Sequence, residues 1–433
     1  MIMKEQDAKK RREWFKLDNA GKVFPGQNTS KWSNIFRASV TLTEEIDPVI
    51  LEQALVATLV RFPCFDVRIR RGLFWYYFEK NKYNAPPVME DIQNPCQRIR
   101  WNENRGFLFR VYYYKSRISV EFFLALTDGY GASRFLMTLA ACYLRLTGKK
   151  IPSGYSVLDV NESASPDELE DAYLKVKPSK VKKIRRKKFV YHARGTRLPD
   201  HMLNLTTGYM PVDELKMHAK KYSVTVTEFV AAVLLDVMYR KQLEEKRRQK
   251  EVSIQIPVNL RSVFNSKTLR NFSLFYDVRI NPNMGEYTFE EILKNVSLYL
   301  RYINNEKELR SMVTVNLSLE KNFLMRGLPL FIKNAAVGIG SSITGERTTS
   351  VLLTNLGVVR VPEEMNKYIN SIMLTAGPGK INGTRFAGIS LGNKFALSVA
   401  NIYHESDIER EVFTRFVKMG IPVKIESNRT FDY

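Results

Sequence analysis

The hydrophobic residues of this chain keep two periods, and the change from one to the other marks out its elements. Between Asp47 and Arg61, Ile50, Leu51, Leu55, Leu59 and Val60 fall on one helical face and Pro48 stands at the first helical position, which predicts an early amphipathic helix. Residues 62–70 and 72–79 are β-branched or aromatic runs joined by a short polar turn, so they predict a hairpin. Residues 107–114 and 118–126 predict another strand pair across Lys115-Ser-Arg, with Ile118, Val120, Phe122, Leu124 and Leu126 sharing one face. That alternation runs into Asp128-Gly-Tyr-Gly. Residues 132–146 then take up the helical period, and Gly148 stops them.

From about residue 149 to residue 198 the pattern breaks, as Pro, Ser and acidic residues give way to a basic block. This predicts a crossover linker between two halves, with domains at 1–160 and 199–433 and the linker at 161–198. Beyond it, Thr225-Val-Thr-Glu228 forms a capping box with Val224 and Phe229 as a staple, opening a helix over 226–245. Residues 252–256 alternate as a strand and end in Pro257-Val-Asn-Leu-Arg261. Helices are expected over 289–303, 317–327 and 408–418, strands over 350–354 and 422–425, and a hairpin about Gly392-Asn393. Each half mixes helices with a substantial sheet, and no short-period repeat is visible.

Length and composition narrow the function classes. At 433 residues with 44% hydrophobic content, the chain can bury two ordinary cores. Its longest apolar runs, at 229–237 and 135–146, stop well short of the roughly 20 residues that span a bilayer. The charged amino terminus has no apolar segment of the secretory kind, and a cytoplasmic location is expected. Cys64, Cys96 and Cys142 are odd in number and show no C-x-x-C pair, which argues for buried apolar residues rather than a disulfide or zinc framework. A formal net charge of +22 favours polyanions such as nucleic acid, anionic lipid or a phosphorylated cofactor. The excess concentrates at 175–188 and 240–250, a linker and a helix end where solvated charge is ordinary. Neither block carries the interleaved aromatics of a stacking surface, so no specific nucleic-acid partner is expected.

Asp128-Gly129 at a strand end is by itself a turn signal, and Gly129-Tyr-Gly131 is too short for a nucleotide fingerprint. Its company gives it meaning. Phe123-Leu-Ala-Leu-Thr-Asp-Gly129 resembles the His-His-x-x-x-Asp-Gly turn of the CoA-dependent acyltransferase superfamily, which includes chloramphenicol acetyltransferase, peptide-synthetase condensation domains and alcohol acetyltransferases. Pro257-Val-Asn-Leu-Arg261 resembles the segment whose arginine pairs with the motif aspartate, and Arg61-Phe-Pro resembles the Arg-His-Pro after the first helix. Trp14 to Pro25, Val157-Leu-Asp-Val-Asn161, Asn204-Leu-Thr-Thr-Gly208, Thr354-Asn-Leu-Gly357 and the stretch from Gly420 to Asn428 look most like bacterial alcohol acetyltransferase-type proteins.

The resemblance implies an α/β protein of two chloramphenicol acetyltransferase-like halves, each a mixed sheet with helices, and a channel between them. Acetyl-CoA or another acyl-CoA would enter as co-substrate from one face, and a small alcohol from the other. The second motif histidine is the general base in that superfamily, and here Leu124 stands in its place, so weak or absent turnover is implied. Asp128 and Gly129 become structural, the carboxylate held by Arg261 and also by Arg61. Asn355 holds the acyl carbonyl, orients the acceptor or merely closes a turn. His192, just beyond the basic linker, is the first substitute base to consider; His201, His218 and His404 fall in a loop, a charged helix and a strand end. Serine and threonine nucleophile motifs are absent. The rival reading is a silent member of the same fold that binds an acyl-CoA, a lipid or a protein. No tightly bound cofactor, no metal and a monomer are expected.

Overall fold

The computed structural model describes residues 14–29, 33–181, 188–200, 202–245, 248–321 and 327–429. The early helix, α1 (Pro48–Arg61), begins where the Asp47 carboxylate accepts hydrogen bonds from the Val49 and Ile50 amides and Pro48 supplies the first helical residue. Helix α2 (Gly129–Leu146) starts three residues earlier than the apolar period alone implies, because Asp128 caps it through the Tyr130 and Gly131 amides. In the second half lie α3 (Val212–Lys221), α4 (Val226–Glu244), opened by the Thr225/Glu228 capping box, α5 (Phe289–Ile303), α6 (Glu306–Lys321), α7 (Leu330–Thr344) and α8 (Asp407–Lys418). The helix expected over 317–327 is a correction: α6 begins eleven residues earlier, and residues 322–326 lie outside the described residues.

The strands are β1 (Trp14–Lys16), β2 (Ile35–Leu42), β3 (Val67–Arg71), β4 (Tyr76–Lys80), β5 (Val88–Glu90), β6 (Phe109–Tyr114), β7 (Arg117–Phe123) and β8 (Asn204–Pro211). They continue as β9 (Val252–Asn259), β10 (Ser273–Ile280), β11 (Val351–Val359), β12 (Ile369–Ala376), β13 (Thr384–Leu391), β14 (Lys394–Asn401) and β15 (Lys424–Ser427). Among the described residues they form a three-stranded sheet (β1-β4-β3), a five-stranded sheet (β12-β2-β7-β6-β5) and a seven-stranded sheet (β10-β9-β11-β13-β14-β8-β15). The first hairpin begins at Val67 rather than Phe62. Phe62 closes α1 and turns back through the Phe65 amide at 2.8 Å, which sends both rings into the core.

The five-stranded sheet carries α1 and α2 on a phenylalanine cluster, with Phe62, Phe65, Phe109 and Phe122 all in ring contact with Phe135 of α2. The other face of β2 and β7 is buried as well, and it is polar. Ser39 bonds Ser119, and Arg37 pairs with both Glu121 and Asp91, so the alternation in β7 separates two interiors rather than core from water. Helix α4 is buried on nearly every side at the centre of the second core. Strand β12 belongs by sequence to the second half, yet it pairs antiparallel along β2 from Ala376 opposite Phe36 to Ile369 opposite Leu42. Strand β12 therefore crosses from the second half into the sheet of the first, while among the described residues no strand of residues 1–160 joins the seven-stranded sheet. The crossover carries a helical turn, Pro166–Leu169, capped by Ser165 and Glu168, and a short turn at Ala172–Lys175. The basic blocks fall partly at 182–187 and 246–247, outside the described residues.

Candidate active site

The site is built at the end of β7. Leu124 leaves the ladder, its amide donating to Asn34 O at 3.0 Å, and the Leu126 amide turns back to Phe123 O at 2.8 Å. Leu126 is buried while Leu124 is half-buried, so the common face expected through Leu126 ends at Phe122. Two residues on, Asp128 caps α2. Oδ1 of Asp128 accepts from the Tyr130 and Gly131 amides at 3.1 and 3.3 Å and from Arg261 Nη2 at 3.0 Å; Oδ2 accepts from Arg261 Nη1 at 2.8 Å and the Phe272 amide at 2.9 Å. A carboxylate with this many donors is an anchor and has no lone pair to spare for proton abstraction. Arg261 is held in turn by Thr268 O at 2.8 Å and Asn259 Oδ1 at 3.1 Å, and its guanidinium lies 4.4 Å from the centroid of Tyr130.

Arg61 does not reach this pair. Its guanidinium makes a two-pronged bond to Glu168 in the crossover, at 2.9 and 2.8 Å, so the expectation that it helps hold Asp128 is corrected. The Glu168 carboxylate is itself held by the Ser165 amide, at 2.8 Å, in the capping box of the crossover turn.

Between the halves lies a cavity of about 1660 Å³. Leu124, Asp128, Gly129, Arg261 and Asn355 all line it; Arg61 and His192 do not. The Asn355 amide is already engaged: Nδ2 donates to Thr227 Oγ1 at 2.9 Å and Oδ1 accepts from the Gly357 amide at 3.0 Å. It closes a bulge in β11 where Gly357 takes φ +76°. His192 sits with Nε2 3.3 Å from Arg347 O, and burial, with the nearby Lys250 and Arg347 charges, holds its imidazole below the usual value. His218 stacks on Phe229, His404 donates its amide to Thr196 O, and His201 lies outside the described residues. Among the described residues no histidine lines the cavity.

The carboxylates on the wall are each matched by a cation. Glu320 meets Lys22, Glu346 meets Arg385 at 2.8 Å, Glu251 meets Arg279 at 3.4 Å, and Asp277 lies 3.9 Å from the same Arg279 while accepting from Gln255. One group escaped the sequence reading altogether. Asp18 is fully buried behind Leu124, accepting from the Gly21 amide at 2.7 Å and from Asn271 Nδ2 at 3.3 Å, and that same Nδ2 donates to Leu124 O at 2.9 Å. Burial pushes the Asp18 carboxyl up, against the pull of Arg270. Its signal, one aspartate in the Trp14 to Pro25 stretch, carries no spacing that pairs it with Asn271. Cys64, Cys96 and Cys142 are buried and free, and burial raises all three thiols, Cys64 to about 12, so none is a ready thiolate.

Two sheet-bearing halves, an aspartate capping a helix at the strand end, and an arginine from the other half locking it over an inter-half cavity define a class. This is the fold seen in solved structures of TRI101 and of a starter condensation domain. Among solved structures the chain is similar to F. sporotrichioides TRI101 complexed with coenzyme A and T-2, with a TM-score of 0.64, 11% identity, and 95% of this chain and 99% of that one covered. It is also similar to the starter condensation domain of rhizomide synthetase in complex with C8-CoA (TM-score 0.59, 12% identity, 96% and 95% covered). A third is polyketide synthase associated protein 5 from Mycobacterium tuberculosis (TM-score 0.60, 12% identity, 94% and 97% covered). Identities this low speak for the fold alone. No protein-family model and no curated protein matches the chain.

Proposed function

We propose that the protein is an acyl-CoA-dependent O-acyltransferase-like protein of the alcohol acetyltransferase type, with acetyl-CoA or another acyl-CoA and an alcohol meeting near Leu124, and with slow turnover. The observation that carries this is Leu124 itself, an apolar side chain on the cavity wall at the end of β7, beside a turn whose carboxylate is fully occupied. Structures of this fold bind coenzyme A together with T-2, or C8-CoA, which supports placing a thioester in the channel here. The second N–H of Asn355 is the donor for an acyl carbonyl, since the first is held by Thr227. Attack by the alcohol then relies on positioning, because a side-chain base, worth about 10² to 10⁴ in rate, is missing.

The paired state of the wall carboxylates and the absence of a lining histidine among the described residues favour a second reading, a silent binder of acyl-CoA or lipid. One substitution separates the two. Leu124→His places an imidazole with an ordinary pKa near 6.5 on a backbone already held by Asn34 O and Asn271 Nδ2. The transferase reading expects acetyl-CoA-dependent ester formation to rise tenfold or more with a panel of alcohols. A folded variant that binds acetyl-CoA and shows no gain leaves the silent binder. Calorimetry with CoA at low salt checks the shared premise: binding should weaken as salt rises, and no binding at millimolar ligand removes both cofactor readings.

A further inference from the structure

The hairpin turn between β3 and β4 leaves Leu73, Phe74 and Trp75 exposed, and the first turn of α7 leaves Phe331 and Ile332 exposed beside them. The two segments are joined. Leu330 donates its amide to Leu73 O at 2.9 Å, Lys333 Nζ donates to Phe74 O at 3.0 Å and lies 3.5 Å from the centroid of Trp75, and Asn334 Nδ2 donates to Tyr76 Oη at 2.8 Å. Leu73 and Phe331 are 72% and 74% exposed, so they project from the surface instead of lining a groove. A cluster of large apolar side chains this exposed marks a contact surface.

Two features say what covers it. The three-stranded sheet that bears the turn carries Lys16, Arg68, Arg70, Arg71 and Lys80 against a single acidic residue, Glu79, which pairs with Arg68 and Arg70, on a chain of net charge +22. The patch is also continuous with the cavity, because Trp75, Tyr76, Leu330, Lys333 and Asn334 belong to the cavity wall. Projecting aromatic and aliphatic tips set in a basic collar suit the interface of an anionic bilayer, where the tips enter the acyl boundary and the cations meet the headgroups. No single helix among the described residues is long and apolar enough to cross a membrane.

The geometry points to a membrane-docking surface: Leu73, Phe74, Phe331 and Ile332 insert into an anionic lipid surface and set the cavity mouth against it, so that the site draws a lipophilic substrate from the bilayer. The docking stands on the surface alone, whereas the delivery of a substrate rests on the transferase reading above.

Vesicle flotation without any CoA present tests the docking. The full chain should float with phosphatidylcholine vesicles containing roughly a third phosphatidylglycerol and bind far more weakly to phosphatidylcholine alone. Leu73→Gln combined with Phe331→Gln removes the tips without changing charge and should lower the partition coefficient about tenfold or more. Arg71→Gln should weaken binding and flatten its salt dependence. No flotation of the full chain at low salt overturns the proposal, and so does equal binding by the glutamine double variant, which would assign the attraction to net charge alone. Self-association in solution that the double variant abolishes would assign the patch to a protein interface and overturn it too. Calorimetry with CoA in the same buffer keeps the readings apart: flotation lost with CoA binding intact refutes docking only, and CoA binding absent with flotation intact refutes the transferase reading only.

Discussion

Five hydrogen bonds converge on the carboxylate of Asp128, from two amides of its own helix, one amide of the opposite half and both prongs of Arg261. Removing it strands a guanidinium that is itself buried. Asp128→Ala should therefore cost on the order of 3 kcal/mol in chemical denaturation, a loss of stability and not only of ligand binding. The neighbouring glycines differ in what they require. A Cβ at Gly131 would stand 2.2 Å from Leu269 O and 2.2 Å from Thr127 Oγ1, and neither backbone nor the bonded hydroxyl can yield. A Cβ at Gly129 meets only the end of Leu356, at 3.3 Å. Gly131→Ala is expected to destabilise by about 1–3 kcal/mol and Gly129→Ala by less than about 1, measured by the same denaturation. The motif glycine is thus the more replaceable of the two.

At the scale of elements, the crossover acts as a strap with two carboxylates of opposite habit. Glu168 is held below the usual carboxylate range: burial works against that, but the Arg61 guanidinium and the Ser165 amide prevail. Its contribution is present above its ordinary pKa and fades as pH falls. Asp171 is pushed up to about 6 by burial, with the Asp18 charge adding to it. The folded chain then keeps this proton over a range where the unfolded chain has lost it, so stability falls as pH rises from about 4 to 6 and stays lower above. Asp171→Asn should consequently gain about 1–2 kcal/mol over the parent at pH near 7.5 and nothing near pH 4, in urea titrations at the two values. The Ser165-x-x-Glu168 capping box stands openly in the sequence, but its meeting with Arg61 depends on where the crossover is laid across α1. Helices α1, α2, α4, α5 and α8 and the hairpins β3-β4, β6-β7 and β13-β14 were legible for the opposite reason, since their periods are local. Helix α7 was not, because its apolar content is spread around the helix and shows no stripe. Leu124 and Arg261 could be placed from motifs, while Asp18 and Asn271, distant in sequence and brought together only by the fold, could not.

At the scale of the whole molecule, β12 makes the two halves one folding problem. Residues 1–198 alone would carry α1, α2 and four strands of the five-stranded sheet but leave the outer edge of β2 without its partner. That fragment should be insoluble or lack a cooperative unfolding transition, whereas the full chain should unfold its first sheet only together with β12; circular dichroism of fragment and full chain compares them. The same crossing sets an order of events on the ribosome. The first half emerges with Phe36, Ala38 and Val40 committed to a sheet whose neighbouring strand, with Leu374 at its middle, is still untranslated. Its edge must be kept from other chains until translation has passed Ala376, so the yield of this protein depends on how fast the second half is made and on what shelters the first half meanwhile.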